Sequence, residues 1–110
     1  MAFISDVTAL SGTTPSVSFT GSDVYTITLS GNTTFTFSSA PPSGQAANVT
    51  VIVTQAAAAN YSVTWPGTVK WHSGVSHSMS GNFSSVDIVS FTTTDGGATY
   101  YGFVSGVGMS

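Results

Sequence analysis

The sequence predicts an all-β fold, and within that class an antiparallel β-sandwich of about eight strands, jelly-roll or Ig-like, with a small barrel as the alternative. Three observations point there. Apolar residues alternate with Ser and Thr at a period of two in segment after segment. Gly, Pro, Asn and Asp clusters punctuate the chain at intervals near ten residues. No stretch carries a sustained helical period; the only helix-favouring run, Ala56 to Ala59, has no cap and is too short to hold by itself, so it reads as a turn.

Taken in order, residues 1–15 read as an amino-terminal arm or edge strand, in which Phe3, Ile4, Val7 and Leu10 either close the core or grip a neighbour. Residues 16–110 read as one sandwich domain. Val17 and Phe19 alternate with Ser16 and Ser18; Tyr25, Ile27 and Leu29 share one face, and Phe35 and Phe37 repeat the pattern after Gly31-Asn32. These last two segments are the best hairpin candidate by spacing and turn chemistry. Ala40-Pro41-Pro42 makes a stiff loop. Val49, Val51 and Val53 follow, with Ile52 on the opposite face.

The stretch from Asn60 to Trp71 holds both tryptophans and the single basic residue, Lys70. Tyr61, Val63 and Trp65 alternate with polar residues, Pro66-Gly67 breaks the run, and Val69 and Trp71 resume it. Each Trp can bury ~200 Å². That gain is far smaller than the entropy lost on ordering a dozen residues, so the rest of the chain must pack on this segment. His72 to Phe83 then forms a long loop. Val86 to Phe91 is apolar on both sides through its middle, as in a strand covered on both faces. Thr94-Asp95-Gly96-Gly97 is a hairpin turn, and Gly102 in the last strand leaves room for a close neighbour.

Composition excludes several roles. With 110 residues there is enough chain for one core. Cysteine is absent, which rules out a disulfide framework. Charged residues make up 5%, against about 25% in ordinary domains. Neither nucleic acid nor an anionic membrane surface is an expected partner, because both demand clustered Lys or Arg. The amino terminus lacks the basic region of a secretory signal. Roughly a third of the residues are Ser or Thr, yet 41% are hydrophobic, so the chain folds and presents a neutral, hydroxyl-coated sheet. Natural sheets guard their edges with charge; here almost none exists, and edges covered by copies of the chain or by a larger partner are expected.

No catalytic residue, cofactor or metal site is expected. His72 and His77 lack neighbouring carboxylates in sequence and supply too few ligands for a metal. No Ser lies in a nucleophile-elbow context, and the four Asp are too scattered for paired acid and base work. The contact candidates are Phe3, Ile4, Trp71, His72, His77, Met79 and Phe83, because aromatic and apolar side chains on a neutral surface can stack on a sugar ring or anchor in a protein groove.

The motifs L-S-G-N-T-T-F-T-F (29–37), V-T-W-P-G-T-V-K-W (63–71) and V-D-I-V-S-F-T-T-T-D-G-G-A-T-Y-Y-G-F (86–103) together resemble a β module of tailed-bacteriophage virion proteins, cyanophage proteins among them. The resemblance covers residues 24–109 and implies a non-enzymatic virion structural protein. A short chain starting at its own Met1 favours, as the leading expectation, a capsid decoration (cement) protein on the head exterior. It would be a homotrimer bound to the major capsid protein. A receptor- or glycan-binding module of a tail fibre is the alternative expectation.

Overall fold

The computed structural model describes residues 7–21, 23–71, 74, 77 and 83–109. Among these residues the chain forms strands β1 (Val7–Ala9), β2 (Ser16–Ser18), β3 (Val24–Thr28), β4 (Thr33–Thr34), β5 (Thr36–Ser38), β6 (Ala47–Thr54), β7 (Val63–Thr64), β8 (Val69–Trp71), β9 (Val86–Thr93) and β10 (Tyr100–Met109). The all-β expectation holds. The strand pairing differs from the expected antiparallel sandwich.

One mixed sheet has the order β1-β3-β6-β9-β10-β8, and two short ladders pair β2 with β5 and β4 with β7. In the large sheet β1, β3 and β6 run parallel, and only β9 joins antiparallel, to β6 and to β10. Both small ladders are parallel as well. The chain therefore winds in successive circuits. The first runs through β1, residues 13–15 and β2, and the second through β3, β4 and β5 stacks on it. The Thr34 and Thr36 N–H groups donate to the Thr13 and Pro15 carbonyls at 2.9 and 3.1 Å. The third, through β6 and β7, adds Phe35 N–H to the Thr64 carbonyl at 2.9 Å. Parallel neighbours need a dozen or more residues of return path, and each circuit supplies it.

The expected hairpin between residues 24–29 and 33–38 does not form. Gly31 is not in the left-handed region that a tight two-residue hairpin turn requires at its centre. The Asn32 side chain instead accepts the Ser62 N–H at 3.0 Å, and Leu29 N–H donates to the Thr54 carbonyl at 2.9 Å. Residues 30–32 thus form a corner between walls rather than a reversal within one. The second expected hairpin does form. Gly96 and Gly97 take φ of 73° and 87°, and Asp95 Oδ1 accepts from Thr99 N–H at 2.9 Å.

The apolar face of every circuit points inward to a single core that includes Val17, Ile27, Val51, Val53, Val89 and Phe91. Its centre is aromatic: Phe35 stacks on Trp65 with ring centroids 4.4 Å apart and planes 13° from parallel, and Trp65 leans on Phe91 at 4.9 Å. Gln55, buried, closes the alanine bend. Its Oε1 accepts the Ala56 and Tyr61 N–H groups and its Nε2 donates to the Tyr61 carbonyl at 3.0 Å. That clasp hands the chain from β6 to the tryptophan segment.

Candidate functional site

Within the Asn60 to Trp71 stretch Trp65 and Val69 enter the core, on the face their alternation predicts, and β8 forms one edge of the large sheet. Trp65 is buried and Trp71 half-buried. Pro66-Gly67 turns the chain, with Val69 N–H donating to the Pro66 carbonyl at 3.2 Å, and β8 then pairs parallel with the start of β10. Trp71 sits opposite Gly102, where an added Cβ would lie 2.8 Å from the indole. The missing side chain lets Trp71 reach across β10 to Phe91, ring centroids 5.6 Å apart. This is the close approach that Gly102 announces in the sequence.

Beneath Trp71 lies a buried polar array. Trp65 Nε1–H donates to His77 Nδ1 at 3.1 Å, and His77 Nε2 is 2.8 Å from Asp87 Oδ2. An indole N–H can only donate, so Nδ1 is the acceptor and the imidazole proton sits on Nε2, donated to Asp87. The contact is a hydrogen bond from a neutral imidazole, although its geometry also satisfies that of an ion pair. Asp87 Oδ1 accepts the Gly108 N–H at 2.8 Å. Both side chains are essentially excluded from water. The array ties His77 to the tryptophan segment, to β9 and to the end of β10. It resembles an acid–base dyad in composition only. Its outer nitrogen is capped by an indole rather than facing a hydroxyl, so no ring atom of His77 is free to take a substrate proton.

Over this array opens a cleft of about 290 Å³ lined by Val63, Thr64, Trp65, Pro66, Gly67, Val69, Trp71 and His77. Among the described residues, larger hollows of about 380 Å³ beside β1 and about 570 Å³ around Asp23 and Asn48 also open. Neither gathers a comparable set of rings: the first has no aromatic residue in its lining and the second has Phe19 alone. The smaller cleft places several aromatic rings beside a proline and a rim threonine, the lining suited to an apolar sugar face or a small hydrophobic anchor.

The expected contact residues fare unequally. Trp71 lines the cleft. His77 is 5% exposed and engaged at both ring nitrogens, contrary to its expected surface role, because burial of Asp87 at the start of β9 demands a hydrogen-bonding partner. Phe83 is 56% exposed just before β9 and does not line the cleft. Phe3, Ile4, His72 and Met79 lie outside the described residues. Asp87 and Gln55 were not foreseen as organisers. A lone acid inside V-D-I-V is the signal that could have revealed the first.

Residues 13–98 match a family model described as "Putative phage tail fibre C-terminal domain". The chain belongs to this family. No curated protein and no solved structure matches. The phage resemblance drawn from the three motifs is thus borne out, and the tail-fibre domain is a virion component. Of the two functional expectations, the tail-fibre alternative fits the match; capsid decoration gains no support from it.

Proposed function

We propose that this tail-fibre domain is a host-contacting module whose recognition surface is the cleft framed by Trp71, Pro66 and Thr64. The observation that carries the reading is the aromatic cleft of about 290 Å³ in a chain of the tail-fibre family. The ligand is a neutral one, a pyranose ring or a small apolar side chain, since among the described residues no charged side chain lines the cleft. Stacking on an indole suits such a group. The domain acts by binding and has no enzymatic step, consistent with both ring nitrogens of His77 being occupied.

The test has two arms. Immunogold labelling of intact particles is expected to mark the tail with few copies; a dense label over the head would restore the decoration role and its contact with the major capsid protein. In the second arm, labelled protein binds host cells, and Gly67→Tyr abolishes that binding. A Cβ at Gly67 meets nothing within 4 Å, so the new ring can occupy the cleft mouth without disturbing the core. Equal binding by the two proteins refutes the cleft.

A further inference from the structure

We propose that Asp95-Gly96, in the turn between β9 and β10, is a covalent modification site where aspartate isomerises spontaneously to isoaspartate, and that Thr93 and Thr99 guard it in the folded chain. The inference is independent of the cleft. Isomerisation needs neither enzyme nor cofactor. The Gly96 amide nitrogen bonds to the side-chain carboxyl carbon of Asp95 and gives up its proton, while a carboxyl oxygen leaves as water. Water then reopens the succinimide ring at the α-carbonyl, and the chain is left linked through the β-carboxyl. No electron is exchanged and the mass is unchanged.

The sequence confines this chemistry to one place. Asn cyclises by the same route with loss of ammonia, and the chain holds four Asp and four Asn. Asp6, Asp23 and Asp87 precede Val or Ile, and the four Asn precede Thr, Val, Tyr or Phe, whose bulk crowds the attacking nitrogen. Asp95 alone precedes glycine. The fold demands that glycine, because residue 96 takes a φ of 73° in the turn. A good turn is thus also a reactive pair, and both residues are exposed.

The structure supplies the guard. Asp95 Oδ1 accepts the Thr99 N–H at 2.9 Å and the Thr93 hydroxyl at 3.3 Å. Thr93 is buried, and its Oγ1 in turn accepts the Gly97 N–H at 3.3 Å. To reach the Gly96 nitrogen the carboxyl must leave both donors. The Thr99 N–H foremost also keeps it ionised, and a carboxylate has no hydroxyl to lose as water.

Isoaspartate adds one backbone carbon to a turn whose length fixes the register of its strands. The pairs nearest the turn are Tyr101 with Thr92 and Gly102 with Phe91. Gly102 is where Trp71 lies against β10, so the modified chain should lose that packing.

The full chain, incubated at neutral pH either folded or in guanidinium chloride, tests this by electron-transfer fragmentation, which distinguishes the two linkages without a mass change. Isoaspartate should accumulate at residue 95, and about tenfold faster in denaturant, a factor equal to about 1.4 kcal/mol on the barrier. In the folded chain Thr93→Val should accelerate it, Thr93→Ser should keep the wild-type rate, and Asp95→Ser should yield no product there; thermal melts verify that each is folded. Tryptophan fluorescence of the modified chain should shift. Isoaspartate concentrated at another Asp or Asn, or none in denaturant, overturns the site. Equal rates in the folded and denatured chains overturn the guard, as does acceleration by Thr93→Ser equal to that by Thr93→Val.

Discussion

Strands β9 and β10 form one hairpin, alternate in the same way in sequence, and end in opposite environments. In β9 every second residue, Asp87, Val89, Phe91 and Thr93, is buried, while its other face is half covered. In β10 only Tyr100 and Gly102 are buried; the remainder reaches water on both faces or is partly covered. The difference is neighbours: β9 lies between β6 and β10, whereas β10 loses β8 after three residues. Burial in a sheet is therefore set by what lies alongside a strand, and alternation reports only which residues share a face. The same hairpin carries local exceptions to the usual placement of polarity: Asp87 is inside, hydrogen-bonded to His77 and Gly108, while Phe103, Val107 and Met109 of outer β10 are exposed.

The largest effect is expected on the inner side of that contrast. Asp87→Ala leaves the His77 N–H and the Gly108 N–H buried without these acceptors, which costs about 3 to 5 kcal/mol. Chemical denaturation measures the loss, and amide exchange at Gly108 should accelerate with it. A variant with wild-type stability would show that the array does not hold β10. Gly102→Ala comes next, because the new methyl carbon meets Trp71 and Val69 at 2.8 Å. Overpacking of this sort costs about 1 to 3 kcal/mol, and tryptophan fluorescence should report displacement of Trp71. Trp65→Phe keeps most of the ring contact with Phe35 and removes one donor to His77, a loss of about 1 to 2 kcal/mol.

At the turn joining the two strands the effect is smaller and depends on pH. The Thr99 backbone N–H, aided by the Thr99 and Thr93 hydroxyls, holds the Asp95 carboxyl below the usual carboxylate range. The folded group is more acidic than the unfolded one, so the unfolded chain binds more protons as the pH drops. The turn's contribution is present above about pH 4 and fades as the pH falls through the folded value. Nuclear magnetic resonance of the Gly97 and Thr99 amides should show the turn loosening in acid, and Asp95→Asn should remove most of that dependence. Smallest of all is the effect of Phe103→Lys on the stability of the single chain, within about 0.5 kcal/mol for an exposed residue. A large loss there would mean that β10 is packed more tightly than its exposure indicates.

Much of the fold is legible in the residues. The alternation in Val17 to Phe19, Tyr25 to Leu29 and Val49 to Val53 identifies the buried faces correctly, and Asp95-Gly96-Gly97 identifies its hairpin. Parallel winding is not legible, because a period of two is the same for either strand direction. Gly31-Asn32 has the composition of a hairpin turn and becomes a corner through a contact with Ser62, thirty residues away. The candidate site is legible only in part. Trp71 and Gly102 stand out by residue type. The partnership of His77 with Trp65 and Asp87 depends on three segments meeting in space, and nothing local in H-S-G-V-S-H specifies it.

The most direct measurement of the proposed role is the adsorption of fluorescently labelled domain to cells of the phage's host, wild type against Gly67→Tyr, with thermal melts showing both proteins folded. Saturable binding by the wild type that falls at least tenfold in the variant is the predicted result. Equal adsorption by the two proteins, or none by the wild type, contradicts it.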